Sequence, residues 1–246
     1  LRAWNLMTSF SLIAITLFVF MANTLQYSGI AEDLYSAVHR WLGAVRGGLA
    51  MASVLVCTVL AAMVGTIGAG ITIMGLVALP AMFKHKYQKS LTLGSIIAGG
   101  ALGTLIPPSI SFIIYGLNSG DSIGKLFMGG IGPGLILTFL FVAYIGIRAY
   151  LNPKLAPEIP KEQRASLSEK IAFSKNLVLP ILLILAVLGS IYLGVATPGE
   201  AAGVGAFGAL ICAAVRRKFT LTVLKQAVFG SIRTIGVVMW IAFGAL

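Results

Sequence analysis

The sequence predicts an all-α polytopic membrane protein, and two observations support that fold class. Hydrophobic residues make up 58% of the 246 positions and charged residues only 10%, whereas a soluble domain carries about 25% charged residues. Long apolar runs recur along the chain, several of them near the roughly 20 residues that a helix needs to cross a bilayer. Lipid is therefore expected to act as the solvent for much of the surface.

Charge and chemistry-bearing residues exclude several other classes. The net charge is +11, but the basic residues flank apolar runs, as the positive-inside bias of membrane proteins predicts, and form no basic stripe for nucleic acid. Cys57 and Cys212 lie inside apolar runs and are expected to be buried hydrophobic side chains. The sequence contains no zinc-protease motif and no phosphate loop, so no enzyme is predicted.

Most apolar runs are interpreted as single elements. Crossings are predicted over Leu6–Leu25, Ile131–Tyr150, Asn176–Ala196, Ala201–Val215 and from Ser231 onwards; surface helices over Ile30–Val45 and Phe219–Gly230; connections over Asn118–Gly130 and Leu151–Lys175; and a tight turn over Thr197–Glu200. Glu200 and Arg233 lie near predicted interfaces, where capping or snorkelling is the expected role. Because the chain begins without methionine and ends in a short apolar run, we expect a fragment.

The stretch Gly47–Met82 is apolar but is divided by the glycine-rich segment Gly65–Gly70. The part before this break has about 18 residues and the part after it about 12, which is short for a crossing. We therefore predict a re-entrant hairpin, with two full crossings as the alternative.

The stretch Ser90–Leu117 contains Pro107 and Pro108 within an apolar run that begins with Gly99, Gly100 and Gly103. Adjacent prolines cannot continue a helix, since each lacks an N–H group and the second restricts the first. This element is predicted to be two half-helices joined by unwound backbone over Gly99–Ser109.

Charge parity supports a hairpin that returns to the side it left. With that layout, 15 of the 18 lysines and arginines fall on one side of the membrane. A single crossing over 47–82 would place Arg46 and Lys84 on opposite sides. The positive-inside rule therefore assigns the basic loops to the cytoplasm.

Unwound chain at membrane depth survives only against protein or a water-filled cavity, and helix breaks near the midplane are typical binding sites of secondary transporters. Free carbonyl groups and hydroxyls there suit a small cation such as Na+. The candidate cation- or substrate-binding residues are Gly65, Thr66, Gly68, Gly99, Gly100, Gly103, Thr104, Pro107, Pro108 and Ser109. The alternative is that the glycines serve close helix packing and the prolines only kink.

The stretch from Ala98 to Ser109 resembles the large membrane subunit of TRAP (tripartite ATP-independent periplasmic) transporters, and so does the motif 197–202. The resemblance implies an elevator-type fold of two inverted repeats, each with a re-entrant hairpin and a discontinuous helix. This chain would hold the first repeat and the start of the second. Residues 1–46 would be a scaffold helix and an arm helix, 47–130 part of the transport domain (hairpin 47–82, broken helix 90–117), 131–175 a membrane helix and cytoplasmic linker, and 176–246 scaffold helices.

The resemblance also implies a function: import of organic acids, typically carboxylates, across the bacterial inner membrane by Na+ co-transport. Na+ would be the coupling ion, with Gly65, Thr66, Gly103 and Thr104 as possible ligands, and no other cofactor is expected. The expected partners are a small membrane subunit, a periplasmic solute-binding protein and the lipid bilayer. An ion channel and a scaffold subunit that does not transport remain the alternatives.

Overall fold

The computed structural model describes residues 10–160 and 164–244, and this part of the chain is helical throughout apart from its connections. Its helices are α1 (Phe10–Tyr27), α2 (Ile30–Leu42), α3 (Gly48–Val64), α4 (Ile67–Lys84), α5 (Lys89–Ala101), a 3₁₀ turn (Leu102–Thr104), α6 (Ile110–Ser119), α7 (Ile123–Leu151), α8 (Leu167–Tyr192), α9 (Pro198–Val215) and α10 (Leu221–Gly244). Five of them, α4, α7, α8, α9 and α10, are long and apolar enough to cross a membrane. The all-α polytopic class is confirmed.

The first two helices meet at a sharp corner. Gly29 adopts a left-handed conformation with φ of 73°, and the axes of α1 and α2 differ by 64°. The amphipathic α2 buries Ile30 and Leu34 and exposes Glu32. It ends at Leu42, three residues before the predicted boundary. Residues 6–9 of the first predicted crossing, Leu6–Leu25, lie outside the described part of the chain.

Helix α3 forms the centre of the core. Of its 17 residues, 14 are buried, and α2, α4, α5 and α7 pack around it. The two cysteines are buried as expected, Cys57 in α3 and Cys212 in α9. By contrast, the long helices α7 and α10 leave large apolar side chains exposed, among them Phe139 and Trp240.

The predicted length of the second hairpin arm is wrong. Helix α4 has 18 residues, not about 12, because the break is confined to Gly65 and Thr66 while Gly68 and Gly70 continue the helix. At 1.5 Å per residue, each arm is roughly 26 Å long, close to the roughly 30 Å thickness of the hydrocarbon layer. Arm length therefore does not distinguish a re-entrant hairpin from two crossings.

Three other predicted boundaries also differ from the structure. Helix α7 begins at Ile123, inside the predicted connection Asn118–Gly130, because Ser122 caps it and accepts a hydrogen bond from the Lys125 N–H at 3.5 Å. Helix α8 begins at Leu167 rather than after Lys175, since Ser166 and Glu169 form a capping box.

The third difference lies in α10, which is one continuous helix rather than a surface helix followed by a new crossing. Gly230, which the sequence suggested as a boundary, lies inside the helix where α10 approaches α1. A Cβ atom there would lie 2.9 Å from Oδ1 of Asn23. The Asn23 amide also donates to Ser231 Oγ at 3.2 Å, so this glycine serves close packing instead of ending the helix.

The predicted turn Thr197–Glu200 is the start of α9. Thr197 and Glu200 form a second capping box, with Pro198 at the first helical position. The expected capping role of Glu200 is confirmed.

The linker after α7 folds back onto the base of the hairpin. The Gly47 N–H donates to the Ala156 carbonyl at 3.1 Å, and the Gln88 N–H donates to the Leu155 carbonyl at 2.9 Å. Both ends of the hairpin are therefore held by the same short segment of chain, and Ala156 is fully buried.

Candidate transport site

The two helix breaks lie against each other. Gly65 ends α3 in a left-handed conformation (φ 65°), and its carbonyl accepts a hydrogen bond from the Ile110 N–H at 3.5 Å. A Cβ atom at Gly65 would overlap the carbonyl oxygen of Pro108. The hairpin tip therefore packs on the unwound segment, as expected if both breaks contribute to one site.

The unwound segment is shorter than predicted. Helix α5 continues to Ala101, the 3₁₀ turn follows, and irregular backbone extends from Leu105 to Ser109. Ser109, fully buried, donates through its hydroxyl to the Thr104 carbonyl at 2.9 Å. The Thr104 hydroxyl donates to the Ala101 carbonyl at 2.9 Å. These bonds fix the backbone that the prolines exclude from a helix.

Gly99 and Gly100 belong to α5 and not to the break. A Cβ atom at Gly99 would lie 2.9 Å from Cβ of Cys57 in α3, and one at Gly100 would overlap the side chain of Ile71 in α4. Close helix packing, the alternative considered for the glycines, accounts for these two positions. Because they have no side chain, α5 packs closely against both arms of the hairpin.

Gly103 has a different neighbour, the backbone of the hairpin tip. A Cβ atom at Gly103 would lie 2.9 Å from the carbonyl oxygen of Thr66 and 3.1 Å from its carbonyl carbon. The 3₁₀ turn and the tip are thus in direct backbone contact, which brings together Gly65, Thr66, Gly103 and Pro108 of the predicted set.

Helix α7 closes the far side of the unwound segment. A Cβ atom at Gly130 would lie 2.5 Å from the carbonyl oxygen of Leu105, and one at Gly134 would lie 2.7 Å from Cγ1 of Ile106. Both glycines were missed by the sequence reasoning, which placed Gly130 in a loop. The unwound backbone is consequently enclosed by protein, the condition for irregular chain at membrane depth.

The front of the hairpin tip borders a cavity of about 760 Å³. Thr66 and Gly68 line it from the tip, Asn23 and Gln26 from α1, and a group of polar residues from α10 that includes Lys225, Gln226, Arg233 and Thr234. Thr66 is the N-cap residue of α4, and its side chain makes no capping hydrogen bond. The cavity therefore presents a helix N-terminus, an uncommitted hydroxyl and two cationic side chains.

The oxygen atoms near the tip are backbone carbonyl and hydroxyl oxygens. Among the described residues, no group of three or more His, Cys, Asp or Glu side chains lies close enough to hold a metal ion. A cation at this site would be held by the hard oxygen ligands that the sequence predicted.

Comparison with known proteins identifies the chain. The family model described as "Tripartite ATP-independent periplasmic transporter, DctM component" matches residues 1–246. The chain belongs to this family.

Several curated relatives support the assignment. The TRAP chain is 37% identical over 201 residues to the ectoine/5-hydroxyectoine TRAP transporter large permease protein UehC of Ruegeria pomeroyi, covering 82% of this chain and 46% of the relative. It is 32% identical to the C4-dicarboxylate large permease DctM of Pseudomonas aeruginosa (96% and 55% covered) and 32% identical to the 2,3-diketo-L-gulonate large permease YiaN of Escherichia coli (96% and 55% covered). The chain spans about half the length of these relatives.

Family membership and the apolar helices establish the TRAP chain as a multi-pass inner-membrane protein, and its relatives are permeases rather than enzymes. The sequence predicted a capping or snorkelling role for Arg233, but it lines the cavity together with Thr66. Lys225, Asn23 and Gln26 were not singled out at all. Their only sequence signal is that they are polar residues next to long apolar runs, a signal that many other positions share.

Proposed function

We propose that this chain provides the first half of the transport pathway in the large permease subunit of a Na+-coupled importer of organic acids. The observation that carries the proposal is the contact between the hairpin tip and the broken helix, at the border of a cavity that contains Lys225 and Arg233. Two helix breaks packed together at a polar cavity are the recurring site design of secondary transporters.

An anionic substrate fits the cavity better than a neutral one. The N-terminus of α4 at Thr66 carries a partial positive charge and free N–H groups, which favour a carboxylate. Arg233 and Lys225 add full positive charges on the opposite wall. Two of the relatives are named for carboxylates, C4-dicarboxylate and 2,3-diketo-L-gulonate. We propose that the substrate of this chain is likewise a carboxylate.

Na+ fits the rear of the hairpin tip, where Gly65, Thr66, Gly103 and Thr104 would hold it. The Gly103 backbone lies against the Thr66 carbonyl, which supports a site shared by the two helix breaks. The Thr104 hydroxyl donates its proton to Ala101, which leaves its oxygen lone pairs as acceptors.

The proposed transport cycle is an elevator movement, in which residues 47–130 move relative to the scaffold formed by residues 1–46 and 176–246. A periplasmic solute-binding protein would deliver the substrate, and a small membrane subunit would complete the scaffold. Their contribution is part of the same proposal and is tested in the same experiment.

The test is uptake of labelled organic acids into proteoliposomes that contain the full-length permease, its small subunit and its binding protein. An inward Na+ gradient is imposed in one series, a K+ gradient in a second and a proton gradient in a third. We expect saturable uptake that requires both Na+ and the binding protein. Uptake driven by a proton gradient alone would overturn the Na+ assignment, and flux without saturation and without the binding protein would favour a channel.

A further inference from the structure

A second polar cleft lies far from the hairpin tip, between the C-terminal end of α2 and the N-terminal end of α8. Its volume is about 350 Å³. Arg40 and His39 line it from α2, Arg164 from the linker, and Lys170 from α8. Charge parity places these basic residues on the cytoplasmic side. The proposed transport pathway uses none of them.

Among the residues that the structure describes, those lining the cleft carry more positive than negative charge. Glu169 is the one carboxylate that lines the cleft with Arg40, Arg164 and Lys170, and Arg164 also pairs with Glu158 at 2.9 Å just outside it. That carboxylate is already engaged, because its Oε2 accepts the Ser166 N–H at 2.8 Å and the Ser166 hydroxyl at 3.2 Å. It is therefore poorly available to neutralise Arg40 and Lys170, which have no carboxylate partner of their own among the described residues.

Arg40 is held in a fixed orientation. Its guanidinium lies over the ring of Phe173, 3.6 Å from the centroid, and stacking of this kind fixes the plane of the group. Its Nε atom is buried and has no hydrogen-bond partner among the described residues. A buried, unpaired guanidinium donor is costly, and Arg40 itself lines the cleft, where an anion would offset its charge.

Neighbouring residues mark the level of the cleft in the membrane. Trp41 is 46% exposed, and its indole N–H donates to the Ser174 hydroxyl at 3.0 Å. Lys170 Nζ lies 5.6 Å from the centre of the same indole ring. Tryptophan is enriched at the level of the lipid headgroups, so the cleft opens where phosphate groups of anionic lipids are concentrated.

We propose that this cleft is a phosphate-binding site, in which Arg40, Arg164 and Lys170 hold a phosphate group and tie the arm helix α2 to the start of α8. Arginine matches the geometry of phosphate oxygens and lysine adds a point charge. An anionic phospholipid headgroup and a soluble phosphate compound share this chemistry. The experiment separates the two sources.

The test compares the full-length permease complex with Lys170→Gln and Arg164→Gln variants. Lys175→Gln is the matched control, because Lys175 is exposed on the same helix and does not line the cleft. A third variant, Arg40→Gln, removes packing on Phe173 as well as charge. If this variant does not fold, Lys170→Gln and Arg164→Gln still test the proposal. Binding of phosphatidylglycerol is measured by native mass spectrometry and by thermal unfolding, with phosphatidylcholine and inorganic phosphate in parallel.

We expect each cleft variant to bind phosphatidylglycerol about fivefold more weakly, from the roughly 1 kcal/mol that one basic residue contributes near an anionic membrane surface. The Lys175→Gln control should bind like the wild type. Protection by inorganic phosphate alone, lost in the cleft variants, would support the proposal with a soluble ligand as the source. The proposal would be overturned if all variants bound phosphatidylglycerol equally and inorganic phosphate did not raise the unfolding temperature. Equal stabilisation by phosphatidylcholine and phosphatidylglycerol would also overturn it.

Discussion

Gly103 and Thr66 are in backbone contact across the two helix breaks. A Cβ atom at Gly103 would lie 2.9 Å from the Thr66 carbonyl oxygen, closer than real Cβ contacts permit. The 3₁₀ turn of the broken helix thus reaches the hairpin tip only because position 103 has no side chain. Since Thr66 also lines the 760 Å³ cavity, this contact couples the packing of the transport unit to the shape of the proposed site.

A Gly103→Ala substitution should therefore displace the hairpin tip. We expect Na+-driven uptake by the full-length permease complex to fall at least about tenfold, with a loss of stability of roughly 1–3 kcal/mol from overpacking. Gly94→Ala is the matched control, because Gly94 lies in α5, the helix that leads into the 3₁₀ turn, with no heavy atom within 4 Å of a Cβ built there. Equal uptake by both variants would show that the contact does not matter for transport.

Replacing Pro107 and Pro108 by alanine should restore two backbone N–H groups and let the broken helix close over the site. Uptake should then be lost while the complex still assembles, as judged by size-exclusion chromatography. Full uptake by this double variant would mean that the unwound segment is not part of the site.

Arg233 should contribute to the affinity for an anionic substrate. For Arg233→Gln we expect a KM for uptake about tenfold higher, because a hydrogen bond to a charged group is worth about 1.5–3 kcal/mol. Arg233→Lys should retain part of the affinity. Arg46→Gln is the control, since Arg46 is also an exposed arginine but lies outside the cavity. A KM that is unchanged in Arg233→Gln would remove this residue from the substrate path.

The ion pair between Arg216 and Asp33 joins the end of α9 to the arm helix α2. The Arg216 side chain is only 11% exposed and that of Asp33 is 41% exposed, so Asp33→Asn leaves a largely buried cation without its partner. We expect a loss of about 1 kcal/mol, reduced by solvent at the aspartate, and a lower unfolding midpoint in detergent. Glu32→Gln, at the neighbouring exposed acid, should unfold at the same temperature as the wild type. An equal fall of the unfolding midpoint in both variants would show that the effect comes from losing a negative charge and not from losing the ion pair.

The topology prediction can be checked by cysteine labelling in a background where Cys57 and Cys212 are replaced by alanine. A returning hairpin places Arg46→Cys and Lys86→Cys on the same, cytoplasmic side, and Asp121→Cys on the other. A membrane-impermeant maleimide should therefore label Asp121→Cys in intact spheroplasts and the other two only in inverted vesicles. Labelling of positions 46 and 86 from opposite sides would establish a single crossing over 47–82.

Much of the architecture follows from local chemistry and could be predicted. Adjacent prolines exclude a helix wherever they occur, so the break at 107–108 needed no tertiary information. The hydrophobic runs and the lack of charge required a membrane protein for the same reason. Some predicted boundaries were wrong because they rested on a glycine. Gly68, Gly100, Gly130 and Gly230 all lie inside helices. The sequence does not distinguish a glycine required by close helix packing from a glycine required by a turn.

Capping boxes could have corrected some of these boundaries. Ser166 with Glu169, and Thr197 with Glu200, each have the spacing that begins a helix, and each does begin one here. The signal was present in the sequence. The predicted start of α8 rested on the apolar run, which begins several residues after the capping box formed by Ser166 and Glu169.

The sequence by itself determined the class of the molecule, the two helix breaks and its family, since these depend on composition, proline geometry and motif order. Only the tertiary structure decided which glycines bring the two helix breaks together and which pack helices, and that Arg233 and Lys225 of α10 line one cavity with Thr66. The reason is physical: the glycine contacts join different helices, and Lys225 and Arg233 lie more than 150 residues from Thr66 in the chain, so no local pattern of residues records how these helices pack.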